Sequence, residues 1–113
     1  MDRQSPIDWM ALEQRYQGRA EFIGKLAEIA IRTTATKPEA LRMASERRDF
    51  ASITMLAHDL KSMGGNLSAP VLEAVARDTE NLARRQLDAA FARALDLAAE
   101  LDALRSVLAE RFG

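Results

Sequence analysis

Residues Phe50 to Asn66 read FASITMLAHDLKSMGGN, and the spacing of their apolar members decides the fold. Phe50, Ile53, Ala57, Leu60, Gly64 and, one residue beyond, Leu67 recur at steps of three and four. Such steps put all six on one side of an α-helix. His58, the chain's single histidine, points about 130° away from the middle of that stripe. It is therefore expected on the solvent side. Thr54, Lys61, Ser62 and Gly65 share its face, being three, four or seven residues away.

The same pattern extends in both directions. Arg47-Arg48-Asp49 is polar punctuation, and Asp49 can cap the helix that Phe50 opens. Downstream, Ser68-Ala69-Pro70 restarts the chain with Ser68 as N-cap. The next stripe is Val71, Leu72, Val75, Thr79 and Leu82. Arg84-Arg85-Gln86 is a polar turn near that helix's end. The last helix carries Leu87, Phe91, Ala94, Ala98, Leu101, Leu104, Leu108 and Phe112.

Upstream, Ser5-Pro6 opens a short segment with Ile7, Trp9, Met10 and Leu12, and Gly18 suits a left-handed cap after Tyr16-Gln17. A helix follows from about Arg19, with Phe22, Ile23, Leu26, Ile29 and Ala30 at helical spacing. Thr33-Thr34-Ala35-Thr36 is expected to weaken it. Thr36 as N-cap and Pro38 in the first turn mark a restart, carrying Leu41, Met43 and Ala44 on its apolar side. The sequence thus predicts an all-α protein, an antiparallel up-down four-helix bundle with a short additional N-terminal helical segment. Residues 1–113 form one domain, with the short helix at about 6–16 and the bundle at about 19–112.

Composition agrees. The chain has 113 residues, enough for one core. Ala, Leu, Glu and Arg dominate, all good helix formers. The formal net charge of −1 gives no large attraction to nucleic acid or anionic membrane. Cysteine is absent, which excludes disulfides and thiolate metal sites. Apolar runs fall far short of the roughly 20 residues that span a bilayer, and Met1 to Asp8 lacks the pattern of a secretory leader. A cytoplasmic monomer is expected, with no bound cofactor or metal.

The face around His58 suits phosphoryl chemistry. Neutral imidazole is a nucleophile near physiological pH, and Lys61 can stabilise added negative charge. Two adjacent glycines inside a helix cost about 1 kcal/mol each relative to alanine, so each calls for a reason. Gly64 falls on the core stripe and fits close helix packing. Gly65 falls on the histidine's face and fits access by a partner, as the small Ser62 does.

The run from His58-Asp59-Leu60-Lys61-Ser62-Met63-Gly64-Gly65 to Leu72 resembles the signature of histidine phosphotransfer (HPt) domains, which reads His-x-Leu-Lys-Gly followed by small and apolar positions. Ser62 and Ser68 stand where that family usually or often has Gly. The resemblance implies that His58 is the phosphoacceptor and that it exchanges phosphoryl groups with the aspartate of receiver domains. It implies that Lys61 stabilises the phosphate and that Thr54, Ser62 and Gly65 line the docking face. It also implies that Glu80 on the next helix can accept from His58 Nδ1–H and leave Nε2 to attack. Mg²⁺ would come with the receiver. No nucleotide-binding loop is present, so no ATP-dependent kinase activity of its own is expected.

Three other readings compete. A bundle that docks receivers or other partners without transferring anything would keep the surface and lose the chemistry. A ligand- or metal-binding bundle needs several inward His or Glu ligands, which one outward histidine does not provide. An oligomeric helical scaffold could use the Leu-rich last helix, although its spacing is equally that of a bundle strip.

Overall fold

The computed structural model describes residues 5–112, and they form five helices: α1 (Trp9–Arg15), α2 (Ala20–Glu46), α3 (Phe50–Asn66), α4 (Pro70–Arg84) and α5 (Ala89–Phe112). The last four make the antiparallel bundle expected from the sequence. The most extensive packing is α3 on α4 and α2 on α5; α4 meets α5 less broadly, and α2 touches α3 only sparsely. No described helix is long and apolar enough to cross a membrane. The reading of Met1 to Asp8 as lacking a leader falls partly on residues 1–4, outside the described residues.

Four helices end alike. After α2, Arg47 closes the last turn, Arg48 takes a left-handed φ of 56°, and Asp49 N–H returns to the Ala44 carbonyl at 2.9 Å. After α3 the same roles fall to Leu67, Ser68 (φ 54°) and Ala69, whose N–H reaches Gly64 O at 2.8 Å. Gln86 closes α4 and Gln17 closes α1 in the same conformation. This pairing of a six-residue and a five-residue return bond is the Schellman arrangement, and it satisfies carbonyls that a helix end otherwise leaves without partners. The final residue of each motif between α2, α3 and α4 also begins the next helix. Asp49 caps α3, its carboxylate accepting from Ser52 N–H at 3.1 Å and from Ser52 Oγ at 2.6 Å; these bonds hold its pKa below the usual carboxylate range. Ser68 is not the N-cap of α4: it is the left-handed residue closing α3, and Ala69 occupies the cap position without a side-chain bond. Gly18 is left-handed as expected, φ 70°, one residue after Gln17.

The break expected near Thr33–Pro38 does not occur, for α2 runs unbroken through Pro38. Its buried residues, Ile23, Ala27, Ala30, Thr34, Pro38, Leu41 and Ala44, form one stripe that passes through the supposed break. Thr33 Oγ1 donates to Ile29 O at 3.0 Å and Thr34 Oγ1 to Ile31 O at 3.0 Å, so both hydroxyls fold back onto their own helix. An interior proline costs about 3 kcal/mol, and burial of this long stripe against α5 outweighs it. Other apolar residues lie outside the core they were assigned to: Phe22, Ile29, Val71, Leu87 and Phe112 are exposed. Phe22 instead packs its ring on Tyr16, centroids 5.0 Å apart.

The core is built from Leu41, Ile53, Leu60, Leu67, Leu72, Leu97, Leu101, Leu104 and Leu108, all essentially closed to solvent. Each such side chain contributes about 1.5–3 kcal/mol. Gly64 has the packing role its stripe position implied. A Cβ there would lie 2.9 Å from the backbone nitrogen and 3.1 Å from the Cα of Glu73 on α4. α1 fastens to the C-terminal end of α3: Arg15 Nη1 donates to Gly65 O at 3.2 Å, Tyr16 Oη to Asn66 O at 2.8 Å, and Asp8 N–H to Ser68 O at 2.8 Å.

Candidate functional site

α3 and α4 run antiparallel and close together, so the turn of α3 carrying His58 lies beside the turn of α4 carrying Glu80. His58 projects to solvent, its side chain 54 % exposed, whereas the Glu80 side chain is 4 % exposed. A carboxylate this enclosed needs partners, and Glu80 has three. His58 Nδ1 lies 2.8 Å from Oε2. Lys61 Nζ donates to Oε1 at 2.7 Å. Arg84, one turn along α4, donates to Oε2 through Nη2 at 2.7 Å and Nε at 3.2 Å. The hydrogen bond from Lys61 is the largest influence lowering the Glu80 pKa, from 4.5 to about 2; Arg84 and His58 add to it, while burial opposes them.

This fixes the chemistry of the ring. Glu80 is ionised at neutral pH and can only accept, so the proton between it and His58 belongs to Nδ1. In the neutral imidazole the lone pair then sits on Nε2, the nitrogen remote from Glu80. The ring is thus held in one tautomer and one orientation by a group on a different helix.

The other expected site residues divide. Ser62 is exposed beside Lys61. Thr54 is half-buried and spends its hydroxyl on the Phe50 carbonyl of its own helix, at 2.8 Å. Lys61 lies beside Glu80, its side chain 28 % exposed. Gly65 has close neighbours in its own molecule. Its carbonyl is covered by Arg15, and a Cβ on it would meet Glu73 Oε2 at 2.9 Å. The missing side chain leaves room for a carboxylate of the same molecule, and Gly65 lines a shallow hollow together with Lys61 and Ser62. Arg84 was read only as part of a polar turn. Its spacing of four from Glu80 was the available signal, but it has meaning only once Glu80 is known to face His58.

On its other flank α3 leaves a groove of about 420 Å³ against α2, lined by Leu26, Ile29, Leu56, Asp59, Ser62 and Met63 among others. A second hollow of about 450 Å³ continues it, with Met43 and Met55. His58 stands on the ridge between this apolar groove and the polar seam with α4. No group of three or more His, Cys, Asp or Glu suited to a metal ion occurs among the described residues.

The chain belongs to the Hpt domain family, whose profile matches residues 25–107. It is a histidine phosphotransfer protein, and proteins of this family are phosphocarriers, not kinases, whose partners are receiver domains. In fold it is similar to histidine-containing phosphotransfer protein B (HptB) from Pseudomonas aeruginosa PAO1. The two superpose with a TM-score of 0.81 over 97 % of this chain and 96 % of that one, at 19 % sequence identity. A search of curated proteins finds no match.

Proposed function

We propose that His58 is the phosphoryl carrier of a two-component phosphorelay, taking the group from the aspartyl phosphate of one receiver domain and passing it to the aspartate of another. The observation that carries this is the His58–Glu80 bond, which in the neutral form of this exposed ring puts the lone pair on Nε2. In the first step the Nε2 lone pair attacks phosphorus in line and the P–O bond to the aspartate breaks. The aspartate leaves as a carboxylate, and the ring keeps its Nδ1 proton, which it continues to donate to Glu80 Oε2. The positive charge that develops on the phosphorylated ring faces the Glu80 carboxylate, which stabilises it. The second step is the reverse, onto a different aspartate. Mg²⁺ and the remaining catalytic groups come with the receiver. The apolar groove beside the ridge offers a docking surface, with Ser62 at its rim. No ATP-dependent step falls to this chain, and it works as a monomer in the cytoplasm.

Incubation with a panel of phosphorylated receiver domains, followed by detection of acid-labile, base-stable phosphate, tests the reading. Wild type takes up phosphate and His58→Gln takes up none. The His58→Gln variant should stay within about 1 kcal/mol of wild type, since an exposed ring leaves no cavity and only one hydrogen bond goes. Uptake by the variant at the wild-type level would remove His58 from the mechanism. No uptake by either would leave a bundle that docks receivers without transferring.

A further inference from the structure

The two oxygens of Glu80 are used unequally. Oε2 is shared by the His58 ring and the Arg84 guanidinium, both more than half exposed. Oε1 is held by the Lys61 ammonium, the more enclosed of the two cations. The contact that keeps the buried carboxylate in place is therefore the one made to the oxygen His58 does not use.

We propose that Lys61 is a positioning residue for His58, acting through Glu80: its ammonium holds the carboxylate in the seam with Oε2 turned to Nδ1. Without Lys61 the carboxylate has two exits. It can take a proton, since its lowered pKa owes most to Lys61, or it can follow Arg84, one turn away on its own helix, toward solvent. Either exit removes the fixed acceptor at Nδ1, and the neutral ring then samples both tautomers. The form protonated on Nε2 has no lone pair there with which to attack. The inference rests on the phosphotransfer reading for its kinetic consequence only, because the ring's tautomer is a property of the resting protein.

The test is a double-substitution cycle with Lys61→Met, Glu80→Met and the pair, read in two ways. The chain has one histidine, so ¹⁵N spectra of a histidine-labelled sample report the His58 ring without assignment. Wild type should show the Nδ1–H tautomer, and Lys61→Met a mixture. Lys61→Met should slow transfer from a phosphorylated receiver about tenfold, as when a histidine loses its orienting partner. In the Glu80→Met background the same change should leave both spectrum and rate where Glu80→Met alone had put them. Lys61→Arg, which keeps a cation for Oε1, should hold the wild-type tautomer. Circular dichroism on every variant identifies any that fails to fold; were Lys61→Met to fail, the Lys61→Arg spectrum against Glu80→Met decides. An unchanged tautomer in Lys61→Met, or the same rate loss with and without Glu80, would overturn the proposal and put Lys61 on the phosphoryl group. If wild type accepts no phosphate, the phosphotransfer reading falls and the ring spectrum still decides the role of Lys61.

Discussion

α3 meets its two neighbours in different ways. Toward α4 it offers Gly64, where the helices approach until a single methyl group would strike the Glu73 backbone. Toward α2 it offers Leu56, Asp59 and Met63, and the helices part to leave the groove. Helix separation follows the size of the side chains at the contact, so the glycine lets α4 in while longer side chains hold α2 off. The site needs both. Only a close α4 lets a buried carboxylate reach a ring on α3, and only a distant α2 leaves an open apolar groove beside that ring.

Widening the tight side should have the largest effect on stability. Gly64→Val pushes the added carbons into backbone that cannot move without shifting α4, and overpacking of this kind costs about 1–3 kcal/mol. The melting temperature should fall and the His58 ring should lose its single tautomer. A variant that melts normally and keeps the tautomer would show that the approach of α4 does not depend on Gly64.

The charge inside the seam comes next. Because the Glu80 pKa is depressed to about 2 in the folded protein, its ionisation contributes stability above the ordinary carboxylate pKa. That contribution is lost as pH falls from about 4.5 toward 2. Urea unfolding of wild type and Glu80→Gln at pH 6, 4.5 and 3 should show the wild-type advantage shrinking with acidity. An advantage independent of pH would mean that the carboxylate is not ionised against Lys61 and Arg84.

Smaller still is Gly65→Ala. The atom in its way is the end of the Glu73 side chain, which can move, and alanine favours the helix by up to about 1 kcal/mol. A slight rise in melting temperature is expected, and a fall would mean that Glu73 cannot yield. The loose side should tolerate most. Met55→Gln, at a residue 70 % exposed, should change stability by no more than about 0.5 kcal/mol while weakening receiver binding in a titration. Unaltered affinity would take this part of the groove out of the docking surface.

What the sequence revealed, and what it hid, follows the same division. The α3 stripe was legible because every member faces inward at strict helical steps. His58 followed as its complement, and Gly64 as a glycine on that stripe. α2 misled because Thr33, Thr34 and Pro38 speak locally for a break, while the burial that overrides them comes from α5, far along the chain. Phe22, Ile29 and Val71 looked like core because they are apolar, yet they flank the buried stripe. The contact between His58 and Glu80, 22 residues apart, came into view only through the family resemblance, since no periodicity reports a register between two helices. Arg84 and the carboxylate over Gly65 were hidden for the same reason.

The helix ends leave the molecule with room to change. Gln17, Arg48, Ser68 and Gln86 all hold a left-handed φ of 54–56°, a conformation that costs a residue with a Cβ about 1–2 kcal/mol. Arg48 has a return on that cost, reaching Asp88 at 3.0 Å and lying over the Phe91 ring. Gln17 and Gln86 sit exposed at their turns, and glycine would hold the same backbone there without strain. These two positions are mutational headroom. A lineage that altered the groove between α2 and α3, losing some stability on the way, could recover it at turns outside the cluster of His58, Lys61, Glu80 and Arg84.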